Sequence, residues 1–127
     1  MRAYIHKRKE FYYAPEGEEH ESLSEFWAVV RGYREKGLKV TVDRPAEVKD
    51  MNDKDLYERD FVQCVYYYQN GTHETRNGIV KFKNGSFIAR GSLGWYDHLY
   101  KDPMAPYGFK YKVKKIGNYY EDKIVGV

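Results

Sequence analysis

The chain has 127 residues, enough for one domain with a real core and too few for two comfortable ones. Fourteen tyrosines mark a folded protein rather than a disordered one, and no apolar run approaches the roughly 18 residues of a membrane-spanning helix. The net charge of +3 is uneven: residues 1–60 hold twelve Lys/Arg against fourteen Asp/Glu, residues 61–127 ten against five. A basic half with interleaved aromatics suits an anionic partner, whether nucleic acid or an acidic protein surface. Cys64 stands alone, which excludes an intrachain disulfide framework and a Cys-based zinc site. Met1-Arg2-Ala3-Tyr4 lacks the apolar core of a signal peptide, so a cytosolic location is the expectation.

Ala3–His6 and Glu10–Tyr13 read as a hairpin closed by the basic turn Lys7-Arg8-Lys9. An acidic, Pro- and Gly-containing loop follows. Ser22-Leu23-Ser24-Glu25 then matches a capping box and predicts a helix over about 23–36, with Leu23, Phe26, Trp27, Val30 and Tyr33 as its apolar stripe and Gly37 as its stop. Leu38–Val42 alternates as a half-buried strand and Asp43-Arg44-Pro45 breaks it. Three runs then form a predicted antiparallel meander: Phe61–Gln69, Gly78–Phe82 and Ser86–Arg90, with Asn70-Gly71 and Asn84-Gly85 as the turns. The first run is apolar on both faces, so it is covered on both sides. Gly91–Tyr107 reads as a loop without a period, long enough to be functional or to pack on itself. Phe109–Val113 alternates again, and Ile116–Tyr120 continues or closes the sheet. Short strands, tight turns and one helix predict a mainly β protein, α+β by strict count: a small, partly open, SH3-like barrel with an N-terminal hairpin and a packed helix.

The stretch VKDMNDKDLYERDFV (residues 48–62) resembles the signature of the YopX family of phage and prophage proteins, in which a Leu-Lys-Asp-x-Asn-Gly-Lys-x-Ile-Tyr-Glu-Gly-Asp run precedes a strand. RAYIHKRKEFYY near the N-terminus and VKKIGNYYED near the C-terminus are similar to the family's opening and ending, and the three fall in the family's order. Asp53 and Arg59 stand where the family has Gly. The resemblance implies one YopX-like domain over 1–127, with hairpin, helix and strand in 1–47 and the barrel core in 48–127. It also implies a phage origin and a host bacterial cytoplasm, and no fixed chemistry.

Candidate sites are few. His6, His20, His73 and His98 are scattered, in no metal-binding spacing, and no cofactor motif is present. Asp97-His98 beside Trp95-Tyr96 is the one cluster that suggests catalysis, but adjacent residues rarely share an active-site geometry, and surface loop residues are the plainer reading. Cys64 alternates with Val62 and Tyr66 as a core residue would. Lys81 and Lys83 project from one strand and Lys110, Lys112 and Lys114 from another. If those strands are neighbours, five ammonium groups form a nucleic-acid-binding face; otherwise they are solvated lysines that keep strand edges apart. Trp95, Tyr96, Leu99, Tyr100, Met104 and Tyr107 concentrate the side chains that dominate protein-binding surfaces, unless they plug the open barrel end. The expectation is a non-catalytic phage protein that inhibits or adapts a host protein, in host takeover or counter-defence. A nucleic-acid-binding barrel is the alternative, and open strand edges would allow a homo-oligomer.

Overall fold

About half of the described residues lie in strands. A computed structural model describes residues 1–14, 19–99 and 110–122. The chain divides into two compact units, Met1–Pro45 and Ala46–Val127, beside the expected division at 47/48.

In the N-terminal unit, β1 (Arg2–Ile5) pairs antiparallel with both β2 (Glu10–Tyr13) and β3 (Val40–Asp43), and α1 (Glu19–Glu35) links β2 to β3. Register places Ala3, Ile5, Tyr12, Val40 and Val42 on one face. Ala3, Ile5 and Val40 pack there with Phe26 and Val30 of the helix, and Tyr12 stacks on Phe26. Two expectations about the helix change. It begins at Glu19, so Ser22 lies inside its first turn and is not its cap. Glutamates are good helix formers and favour the positive end of the helix dipole, which lets the helix extend back into the acidic run. Trp27 lies off the buried stripe, 38% exposed, and meets Phe26 edge-on. The helix ends as expected at Gly37. Its N–H donates to Arg34 C=O and that of Leu38 to Tyr33 C=O, a Schellman closure. This cap uses Leu38, so β3 starts only at Val40.

The other face of this sheet carries an ion pair. Arg2 and Asp43 are register partners on β1 and β3, and Arg2 Nε donates to Asp43 Oδ2 at 3.0 Å. Their side chains are 1% and 0% exposed, and the guanidinium also lies 4.6 Å from the Phe11 ring centre.

The C-terminal unit is a five-stranded sheet of order β10-β6-β7-β8-β9: β6 (Asp60–Tyr67), β7 (His73–Lys83), β8 (Ser86–Arg90), β9 (Tyr96–His98) and β10 (Lys110–Asn118). A two-stranded piece, β4 (Pro45–Lys49) with β5 (Asp55–Tyr57), precedes it. The protein is therefore mainly β with one helix, in three sheets, and no closed barrel forms among the described residues. The core joins Val62, Cys64 and Tyr66 of β6 to Val80, Ala89, Val113, Leu56 and Ala46. Phe61 and Val65, on the opposite face of β6, are buried too, as two-sided apolarity predicts.

The turns divide. Asn84 (φ 51°) and Gly85 (φ 83°) form the predicted type I′ hairpin. At Asn70-Gly71 only Gly71 is left-handed (φ 85°), and the loop closes instead through Tyr68 N–H donating to Thr72 C=O. The Asn70 side chain there accepts from the Thr72 N–H and hydroxyl. β7 starts at His73, earlier than the expected Gly78, because polar residues 73–77 pair with the second half of β6.

Arg2→Met is expected to cost about 3–5 kcal/mol, because it leaves Asp43 buried without its cation. Urea unfolding of Arg2→Met, Asp43→Leu and the double variant should show the double costing less than the two singles together, with a coupling of at least about 1 kcal/mol.

Candidate functional site

The acidic lead-in Asp50–Asp60 works as a clasp on β10. Asp50 Oδ1 accepts from the Asn52 and Lys54 N–H groups (2.9 and 2.8 Å), which rounds the turn between β4 and β5. Its Oδ2 accepts from the Lys115 N–H on β10 at 2.9 Å, and Met51 N–H donates to Val113 C=O alongside. Burial alone would raise the Asp50 pKa. The N–H groups of Lys115, Lys54 and Asn52 outweigh it and hold the carboxyl below the usual range. Asp60, 0% exposed, accepts from the Tyr57 N–H through Oδ2, and Lys115 Nζ lies 3.2 Å from the same oxygen. Arg59 N–H donates to Val80 C=O and Arg59 C=O accepts from Tyr119 N–H, so β5, β7 and the end of β10 meet at one residue. A bulge between Lys115 and Gly117 lets β10 bend there. Any Cβ at Gly117 would stand 2.6 Å from the Asp122 carboxylate.

The aromatic segment separates into packed and presented side chains. Trp95 packs on β7: a methyl added at Gly78 would meet its ring at 3.0 Å and the Arg90 backbone at 3.3 Å. Arg76 stands over the same ring, 5.4 Å from its centre. Leu99 also packs against the core. Tyr96 points the other way, 54% exposed on the end strand β9, with Lys83 Nζ 5.1 Å from its ring centre and the His98 ring edge-on at 6.4 Å. The segment is thus not all loop, since Tyr96–His98 adds a strand to β8. Tyr100, Met104 and Tyr107 lie outside the described residues.

The five lysines are not brought together. β10 pairs with β6, and β6 stands between it and β7. Lys114 is level with Gln63 and Asn77, and Lys81 lies four residues further along β7. At ordinary strand spacings this is roughly 16 Å, beyond a Debye length. Lys112 instead covers the Tyr67 ring at 5.6 Å. The side chain of Lys110 lies outside the described residues.

Asp97 and His98 occupy opposite faces of β9 and form no dyad. Asp97 accepts from the Tyr66 hydroxyl at 3.1 Å, and its other oxygen accepts from the His98 N–H. Burial raises the Tyr66 pKa, with Cys64 and Asp97 adding to the shift. His98 Nδ1 lies 3.3 Å from Ser86 Oγ in an exposed contact. His6 is held by Thr41 at 2.8 Å, and burial, then Lys39, lowers its pKa. Among the described residues, no three His, Cys, Asp or Glu side chains gather as a metal ion requires. Among them, too, no helix is long and apolar enough to cross a membrane.

One further feature escaped the sequence. A cleft of about 370 Å³ opens beside β7, lined by Glu58, Arg59, Ile79, Val80, Lys81, Phe82 and Tyr119. Its residues are scattered along the chain, and the alternation of β7 marks only the strand. Comparison of the chain with protein-family models, curated proteins and solved structures gives no match.

Because the folded-state pKa of Asp50 is depressed, its stabilisation is present above the unfolded carboxyl value near about pH 4 and is lost as pH falls through the folded value. Asp50→Asn keeps the shape and loses the charge. It is expected to be less stable by about 1–3 kcal/mol at pH 7 and to show a shallower loss of stability between pH 5 and 2. Urea unfolding across that range is the check, and parallel curves for the two proteins would remove Asp50 from the acid response.

Proposed function

We propose that this chain is a non-catalytic binding protein of YopX-like phage or prophage origin that acts on a host protein as an inhibitor or adaptor, in host takeover or counter-defence. The observation that carries the reading is the presentation of Tyr96. A large aromatic side chain on the end strand of a sheet, steadied by Lys83 and His98, has the form of an interface anchor that binds at small entropic cost. Trp95, on the opposite side, is half-buried and packs against the core.

The phage origin draws support from the lead-in. Asp53 and Arg59, which stand in place of glycines in the YopX pattern, both have left-handed backbone (φ 63° and 67°), where glycine is the most tolerant residue. Asp50 of the pattern accepts from Lys115, next to the Ile-Gly-Asn ending, and Asp60 is the register partner of Asn118 within it, so a role for the pattern in holding the fold accounts for its spacing.

Tyr96→Ala tests this reading. The substitution is expected to leave stability within about 0.5 kcal/mol, whereas Trp95→Ala should cost about 2–3 kcal/mol through the void left on Gly78. A host protein captured from nuclease-treated bacterial lysate, identified by mass spectrometry and purified, should bind the wild type directly and bind Tyr96→Ala at least tenfold more weakly. Equal affinity for both proteins, or capture that disappears with nuclease, overturns the reading.

A further inference from the structure

The cleft beside β7 goes beyond a protein-docking role. It exists because β6 and β7 differ in length. β6 pairs with β7 as far as Phe61 opposite Ile79, and the Arg59 N–H to Val80 C=O bond follows. Beyond that point β7 continues to Lys83, paired only with β8 among the described residues. The Glu58-Arg59 turn and Tyr119 flank the space left open, and the Tyr119 N–H to Arg59 C=O bond at 2.8 Å fixes the two walls to each other.

The lining combines two kinds of group. Tyr119, 62% exposed, offers aromatic surface and the half-buried Ile79 an apolar side, while Val80 is wholly buried in the core and Phe82 packs its ring on Phe87. Lys81 makes no ion pair among the described residues, and Arg59 adds a second cation to the lining. Aromatic surface for a flat ring beside ammonium and guanidinium groups is the combination that takes bases and phosphates together. Glu58 works against a bare phosphate and offers an acceptor for an exocyclic amino group of a base. The volume falls within the range of small-ligand sites. We propose that this cleft binds a nucleotide, its base against Tyr119 and its phosphate at Lys81 and Arg59.

Fluorescence anisotropy with 5′-fluorescein oligo(dC) ten residues long, at 50 mM salt, is the test. Saturable binding is expected, weakened at least tenfold by Tyr119→Ala and by Lys81→Glu and left unchanged by Tyr96→Ala. Both altered side chains are exposed, and thermal melts confirm that the variants fold. If free cytidine monophosphate competes, the source is the free nucleotide; if it does not while the oligomer still binds, the source is the strand, and either result carries the nucleotide chemistry. Absence of saturable binding, wild-type binding by both variants, or equal competition by polyglutamate of matched charge overturns the proposal. None of these outcomes depends on a host protein, so failure here leaves the Tyr96 reading standing, and failure there leaves this one.

Discussion

Two buried carboxylates hold the C-terminal sheet to its own beginning. A carboxylate taken out of water stays ionised only where donors replace the lost hydration, and Asp50 finds those donors on its own turn and on β10, while Asp60 accepts from the Tyr57 N–H and lies against the Lys115 ammonium. The last strand of the sheet lies where it does because Lys115 offers its backbone N–H to one aspartate and its ammonium to the other. Around that fixed edge β6 can be apolar on both faces, β7 can outrun β6, and the cleft at the end of β7 can stay open.

Much of this was legible in the residues. Asn84-Gly85 specifies its hairpin because both positions need positive φ, and it turns the chain back into Ser86–Arg90, a strand with those bounds. Phe61–Gln69 reads as covered on both faces, and Phe61, Val62, Cys64, Val65 and Tyr66 are buried, whereas Tyr67 and Tyr68 stand exposed at the far end of the run. What stayed illegible was fixed by partners distant in sequence. β4 and β5 are too short and too charged to show a period, and they pair through a turn built on one aspartate side chain. Residues 73–77 carry no apolar pattern and become strand because β6 lies alongside.

The site follows the same division. Sequence could collect Trp95, Tyr96 and Leu99 as aromatic and apolar neighbours, but alternation on a strand too short to recognise sends Trp95 and Tyr96 to opposite sides. Side chains on one strand share a face by arithmetic, whereas those on two strands share it only if topology makes the strands adjacent. Here β6 intervenes between β7 and β10, which divides the lysines. The walls of the cleft meet through backbone hydrogen bonds of Arg59 with Val80 and Tyr119, which carry no residue-type signature at all.

The reach of the Asp50 clasp has a consequence for how the protein forms. The bond from Lys115 to Asp50 spans 65 residues, while the hairpins of β6, β7 and β8 close over a few. Contacts so far apart in sequence must first overcome the entropy of closing a long loop, and they slow folding accordingly. On a ribosome the meander can assemble from its local turns while Asp50 and Asp60 remain hydrated. Both carboxylates leave water only when the C-terminal strand has emerged, so the final pairing of β10 with β6 is also the step that commits the charges to the interior.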